Sequence, residues 1–319
     1  MKRILCLAFI LGLAMISSSA ERQNAGNSPA GFDEELHAVI IGSGSPQYDP
    51  DRAGPSVLIR YKNQNILVDM GNGTQANLEK LGLNFRELNG LLITHHHLDH
   101  TEEFIPVFIK TLLGGNKFEV VGPAPTKEYV ESINSIYKKD IDYRLGRRGG
   151  RDYSSVKDNF NVKELEGGES FSIGEIEIST TAVNHTIETI AYRFQAGGRS
   201  IVISGDLTYS ESLPKLAKNA DVLIIDSGAV VRNEGSNNRP NRRGNGNGQG
   251  RRQGQQGGQR AHSSLEEVGK MARDSNVKTL IMTHLPNVAI DEEATRIEVA
   301  KNFKGEIVFA KDLLEIDPK

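Results

Sequence analysis

Residues 95 to 100 read His-His-His-Leu-Asp-His, so His95, His97, Asp99 and His100 place three imidazoles and a carboxylate within six residues. Neutral imidazole and carboxylate are ligands for zinc and similar divalent ions. Four such groups on one short turn cannot all reach a single ion without strain, so the spacing points to two adjacent metals. The flanks place the turn in a fold. Leu91-Leu92-Ile93-Thr94 has the continuous apolar character of a buried strand, and Thr101-Glu102-Glu103 opens a run with Phe104, Val107, Phe108, Leu112 and Leu113 at helical spacing. The motif is therefore expected on a strand-to-helix loop.

A loop of this kind needs a layered scaffold, and the remaining pattern supplies one. Strands are expected near 37–41, 56–61, 65–70, 118–121, 161–165, 170–173, 175–183, 190–194, 200–204, 222–225, 279–283 and 307–310. Helices are expected near 74–81, 103–113, 126–143, 213–218, 263–274 and 291–303. Strands cluster by halves with helices between them, which favours two sheets layered between helices. The chain has 319 residues and 37% hydrophobic content, ample for a sizeable core.

The two ends of the hydropathy scale mark segments outside that core. Residues 1–20 combine a basic start at Lys2-Arg3, an apolar run from Ile4 to Ile16 and the small residues Ser17-Ser18-Ser19-Ala20, the pattern of a cleavable secretory signal. The run falls short of the roughly 20 apolar residues of a membrane span. An exported, periplasmic or secreted protein is expected, with no membrane span. Cys6, the single cysteine, would leave with the signal, so neither a disulfide nor a thiolate ligand is expected in the mature chain. Residues 21–34 form a polar leader, and 35–319 the folded domain.

Within that domain, 233–260 is built mainly from Gly, Asn, Gln and Arg and has no aliphatic or aromatic residue, so a disordered insertion is expected there. Its six arginines against Glu234 give +5, whereas the whole chain carries −3, or −5 once Lys2 and Arg3 are removed. Attraction for an anionic substrate must then come from local basic patches, either this insertion or Arg144, Arg147, Arg148 and Arg151. The insertion offers no aromatic to stack on bases, so no specific nucleic-acid binding is expected. The oligomeric state stays open, a homodimer being one option.

His185, Asp206 and His284 each follow an apolar strand, in Val183-Asn184-His185, Ser204-Gly205-Asp206 and Met282-Thr283-His284. Singly, each reads as a turn or cap residue. Together they occupy the position from which loops past several strand ends can converge on one site. His37 starts a strand and is read as structural, and His96, between two ligands, should face away from the metals.

With these residues in place the chain resembles the metallo-β-lactamase superfamily from about His37 to the C-terminus. The resemblance implies a four-layer αββα sandwich with a binuclear metal site on one edge of the sheets. It implies that His95, His97 and His185 bind one metal, that Asp99, His100 and His284 bind the second, and that Asp206 bridges them. Asp69, after Ile66-Leu67-Val68, is similar to the strand-end Asp that supports the ligand loop from behind. His262, in Ala261-His262-Ser263-Ser264 before a helix, resembles the extra histidine of the ribonuclease Z and arylsulfatase-like branch. So do Gly42-Ser43-Gly44-Ser45-Pro46 and the 51–56 loop for the exported arylsulfatase-like members.

Two zinc ions are the default cofactor, with manganese or iron compatible with the same donors. The expected chemistry is attack on an ester by a hydroxide held between the metals, with Asp99 orienting or deprotonating it and His262 acting on the leaving group. Asp226, in Ile224-Ile225-Asp226, could orient His262. Departures from ribonuclease Z are Thr101-Glu102-Glu103 where a glycine is common, the lack of a glycine- and proline-rich arm, and the export signal. Three functions therefore stay open: a phosphodiester or related phosphate or sulfate ester hydrolase acting on an anionic small molecule or polyanionic ester, a lactone or β-lactam hydrolase, and a non-catalytic anion-binding exported protein.

Overall fold

The computed structural model describes residues 34–147, 149–233 and 260–319. The expected signal at 1–20, the leader up to Asp33, Arg148 and the body of the expected insertion lie outside the described residues. The chain runs through β1 (His37–Gly42), β2 (Ser56–Tyr61), β3 (Gln64–Val68), α1 (Thr74–Lys80), β4 (Gly90–Leu92), α2 (Leu98–Thr101), α3 (Phe104–Gly114), β5 (Phe118–Gly122), α4 (Thr126–Gly146), β6 (Phe160–Glu164) and β7 (Ser170–Ile173). It continues through β8 (Ile176–Val183), β9 (Thr189–Ala196), β10 (Arg199–Ile203), α5 (Leu213–Leu216), β11 (Val222–Asp226), α6 (Leu265–Ser275), β12 (Thr279–Thr283), α7 (Glu292–Ala300), β13 (Glu306–Phe309) and β14 (Leu314–Ile316).

These strands make two seven-stranded sheets, ordered β14-β1-β2-β3-β4-β5-β6 and β13-β12-β11-β10-β9-β8-β7. Three apolar layers separate and cover them. Val57, Ile59, Ile190, Tyr192 and Ile224 pack between the sheets. Leu67, Leu91 and Val120 pack under Phe104, Phe108 and Val130 of α3 and α4. Leu223, Ile225 and Leu280 pack under Val268, Met271 and Val299 of α6 and α7. This is the expected αββα sandwich, and it explains the continuous apolar strands: in β11 Val222 and Ile224 face the other sheet while Leu223 and Ile225 face the helices, so both faces are buried.

Each sheet is half antiparallel and half parallel. β3, β4, β5 and β6 run parallel in one, and β10, β11, β12 and β13 in the other. The carboxyl ends of these parallel strands all reach one edge of the sandwich, where open α/β sheets place their ligands. α4 is the crossover from β5 to β6 and runs back from that edge. Its 21 residues cover about 30 Å at about 1.5 Å per residue. Arg144, Arg147 and Arg151 therefore lie at the far pole, and Arg144 is engaged by Asp140 at 2.6 Å. This corrects the expectation that the arginine cluster could recruit a substrate to the site.

Element boundaries move where a side chain intervenes. The expected strand through Thr94 ends at Leu92, because Thr94 N–H and Oγ1–H donate to Asp69 rather than to a neighbouring strand. α6 starts at Leu265 because Ser264 forms a capping box with Glu267. β14, unexpected from three residues of Leu-Glu-Ile, adds to β1 because Leu313 N–H donates to Ile40 O and sets its register.

Just before β14, Asp312 ties the first loop to the body. Its Oδ1 accepts from Ser43 N–H and Oγ–H at 3.0 and 2.9 Å, and its Oδ2 from Ala53 N–H and Asn77 Nδ2–H at 2.7 and 2.9 Å. Asp312→Ala strands these donors and is expected to cost about 2–3 kcal/mol, read as a lower denaturant midpoint with unchanged slope. An unchanged midpoint would remove Asp312 from this role.

Candidate metal centre

The site forms where loops from both sheets meet at the common edge. The first sheet supplies residues 95–100 after β4 and Asp69 after β3. The second supplies His185 after β8, Asp206 after β10, Asp226 at the end of β11, His262 before α6 and His284 after β12.

Asp69 holds the first of these loops. It adopts the left-handed backbone region at φ 58°, which turns its carboxylate back toward β4. There it accepts from Thr94 N–H at 2.8 Å, from Thr94 Oγ1–H at 2.7 Å and from His100 Nδ1–H at 2.8 Å. His100 is thereby left with Nε2 facing the cluster. Behind the loop, Gly71 lets the chain pass close beneath it, since a Cβ there would lie 2.5 Å from Asp99 O.

The candidate ligand atoms converge. His97 Nδ1 lies 3.1 Å from His95 Nε2 and 3.2 Å from His185 Nε2. Asp206 turns Oδ2 toward His284 Nε2 at 3.3 Å, His95 Nε2 at 3.9 Å and His185 Nε2 at 4.0 Å, and Oδ1 toward His100 Nε2 at 3.4 Å. His284 Nε2 also meets Asp99 Oδ2 at 3.2 Å. Two sets of atoms lie within 4.8 Å of one another, His95, His97, His185 and Asp206 in one, Asp99, His100 and His284 in the other. Three imidazole nitrogens at such separations, and a buried His100 Nε2 with no hydrogen-bond partner, fit divalent cations in both chemistry and room.

Burial and charge divide the imidazoles. Burial, assisted by the neighbouring His100, drives the His95 pKa far below its ordinary value, and burial also lowers His185. For His100, burial opposes protonation but the Asp206 and Asp69 carboxylates outweigh it and hold the pKa well above the ordinary value. In His284 burial is likewise overcome, by Asp206, Asp99 and Asp226, and the pKa rises to about 9. Burial acts to raise Asp206, yet His284, His100 and His95 hold its pKa well below the usual carboxylate range.

His262 stands beside the cluster, its ring 5.1 Å from that of His284 and 6.0 Å from that of His185. Its Nδ1 bonds Asp226 Oδ2 at 2.8 Å, and that bond raises its pKa against the opposing effect of burial. Asp206, Asp226, His262 and His284 could also be grouped as ligands. The bond between His262 and Asp226 instead makes them a donor–acceptor pair, with Nε2 of His262 left free.

Comparison with known proteins agrees with this geometry. Residues 64–285 match the family described as a beta-lactamase superfamily domain. The chain belongs to the metallo-β-lactamase superfamily. Ribonuclease Z of Mycobacterium bovis BCG Pasteur is 30% identical over 295 residues, covering 89% of this chain and 99% of that protein. The short form of human tRNase Z superposes with a TM-score of 0.63 at 18% identity, covering 89% and 99% of the two chains. Zn2+-bound PqqB from Methylobacterium extorquens gives 0.60 at 16%, covering 88% and 99%. These structures share the superfamily fold.

The residues expected at the metal site fall in this place. His95, His97, Asp99, His100, His185, Asp206 and His284 come together, Asp69 stands behind His100, and Asp226 stands behind His262. His96 turns away, bonding Thr126 Oγ1 at 2.9 Å and packing edge-on against Tyr129. His37 is buried at the start of β1, its Nδ1 3.0 Å from Glu35 O. Two contributors escaped the sequence reading. Thr94 completes the grip of Asp69, and its place directly before the motif was the available signal. The Ala261 carbonyl accepts from His185 Nδ1–H at 2.9 Å, and no side-chain pattern announces a carbonyl.

Support from behind a metal ligand is commonly worth about 10–100-fold in affinity. Asp69→Ala is expected to weaken metal binding by that factor, about 10–100-fold, in competition with a chromogenic chelator. Wild-type affinity in the variant would show that His100 is oriented by other means.

Proposed function

We propose that the chain is an exported phosphodiesterase working with two divalent ions, zinc by default. The observation that carries this reading is the Asp226–His262 pair set against a cluster of seven metal-ligand side chains: it equips the edge both to bind an anionic ester and to protonate what leaves it. The ribonuclease Z relatives support a phosphodiester as the ester.

In this reading His95, His97 and His185 hold one ion and Asp99, His100 and His284 the other. Asp206 would serve both, since its carboxylate lies within 4.0 Å of ligand nitrogens from each group. The bound ions supply Lewis acidity, bringing the pKa of a water toward neutrality and neutralising charge on the phosphoryl oxygens. Asp99 orients the attacking water and takes up its proton. As the new P–O bond forms and the ester P–O bond breaks, His262 Nε2 gives its proton to the departing oxygen. Asp226 steadies the imidazolium before that step and, by holding Nδ1–H, leaves Nε2 as the atom that gives the proton. Asp69 keeps His100 in register throughout.

Export rests on the basic start, apolar run and small-residue end of residues 1–20. Among the described residues no helix is long and apolar enough to cross a membrane. Fractionation of cells making the full chain should find it shortened and outside the cytoplasm, and an uncleaved cytoplasmic chain would remove export from the proposal.

Mature protein of known metal content should hydrolyse bis-p-nitrophenyl phosphate faster than p-nitrophenyl phosphate, p-nitrophenyl sulfate or a chromogenic lactone. His262→Ala should lower kcat by about 100- to 10,000-fold on a diester with a poor leaving group, and less on an activated one. Faster sulfate turnover would assign the arylsulfatase-like chemistry instead. Lactone turnover indifferent to His262→Ala would sink the phosphodiesterase reading.

A further inference from the structure

We propose that Gly228 is a positioning residue for His262, seating the imidazole for proton donation and so fitting the site to diesters whose leaving group is an unactivated alcohol. The proposal rests on the reading of His262 as proton donor. Gly228 lies two residues past the end of β11 and acts on His262 in two ways. Its N–H donates to Asp226 Oδ1 at 2.9 Å, which turns Oδ2 toward His262 Nδ1 at 2.8 Å. Its Cα face lies against the imidazole. A Cβ at this position would sit 2.6 Å from His262 Cγ, 2.9 Å from Cβ and 3.1 Å from Cδ2, all inside the carbon–carbon optimum of about 3.5–4.0 Å.

The backbone itself does not demand glycine. Gly228 is not among the positive-φ glycines, so alanine meets no φ penalty, and its effect falls on His262, whose Cβ and ring the new methyl would crowd. That ring cannot retreat inward, where the imidazoles of His284 and His185 stand at 5.1 and 6.0 Å. It can only swing toward solvent, to which the side chain is already 31% exposed. Such a swing opens the bond to Asp226 and carries Nε2 away from the departing oxygen. Misplacement of a catalytic group by about 1 Å costs on the order of 100-fold. An activated phenolate departs with little help, whereas an alcohol needs the proton. A seat this tight therefore matters for substrates of the second kind.

The test compares wild type, Gly228→Ala, His262→Ala and the double variant on bis-p-nitrophenyl phosphate and on the less activated diphenyl phosphate. Gly228→Ala should lower kcat on diphenyl phosphate by about 10- to 100-fold, with a smaller loss on the activated diester and with KM and metal content kept. In the His262→Ala background only the 2.9 Å approach to Cβ remains, so the same glycine substitution should add much less, because the ring it displaces is gone. A loss that persists in that background marks a merely structural effect and overturns the proposal, as does wild-type turnover of diphenyl phosphate by Gly228→Ala. If His262→Ala itself shows no leaving-group dependence, the donor role of His262 fails, and fitness for alcohol leaving groups falls with it. The seating claim is judged separately by a crystal structure of Gly228→Ala: an imidazole still bonded to Asp226 overturns it, and a displaced one upholds it.

Discussion

The carboxylate of Asp69 is the contact on which the site depends. Placed directly after a buried strand, it takes up a left-handed conformation that L-residues adopt at a cost of about 1–3 kcal/mol. What holds it there is a set of three donors, two from Thr94 and one from His100. Those bonds stop β4 from continuing, tip the chain into the turn bearing four candidate ligands, and choose which nitrogen of His100 faces the cluster. Strand end, loop conformation and imidazole tautomer thus follow from one buried anion.

Around that anchor the charges are arranged by proximity more than by sequence. His95, in the company of other imidazoles and buried, is kept neutral and ready as a ligand. His100 and His284 face carboxylates and hold protons firmly. A divalent ion held by these imidazoles would compete with those protons. His262 stands slightly apart, paired with its own carboxylate and partly open to solvent. The geometry thereby sets the paired imidazole of His262 apart from the imidazoles of the candidate metal cluster.

Much of this was readable from residue spacing. The HxHxDH turn between an apolar strand and a helix located the first loop, and the recurrence of His or Asp just past later apolar strands located the others, because parallel strands share a common carboxyl edge. Burial on both faces made β10, β11 and β12 continuous in hydrophobicity and easy to find, whereas β8 alternates. Strand β14 escaped because three residues carry no usable period, and its place depends on a backbone bond to Ile40. The remoteness of Arg144 and Arg151 escaped because a charge cluster carries no sign of where it lies, and only the run of α4 away from the site edge decides it. The Ala261 carbonyl and the closeness of Gly228 to His262 are matters of three-dimensional approach with no compositional trace.

The candidate ligands come from two different sheets, and the layer holding those sheets apart is apolar: Val57, Val68, Ile203 and Ile224 lie directly between them. The spacing of the two halves of the centre is thus governed by the girth of side chains that never meet a substrate. Interiors packed at crystal-like density transmit a change of one methylene. Such a change in this layer would be felt as a narrower or wider jaw, which gives the molecule a means of retuning its chemistry without altering a single ligand.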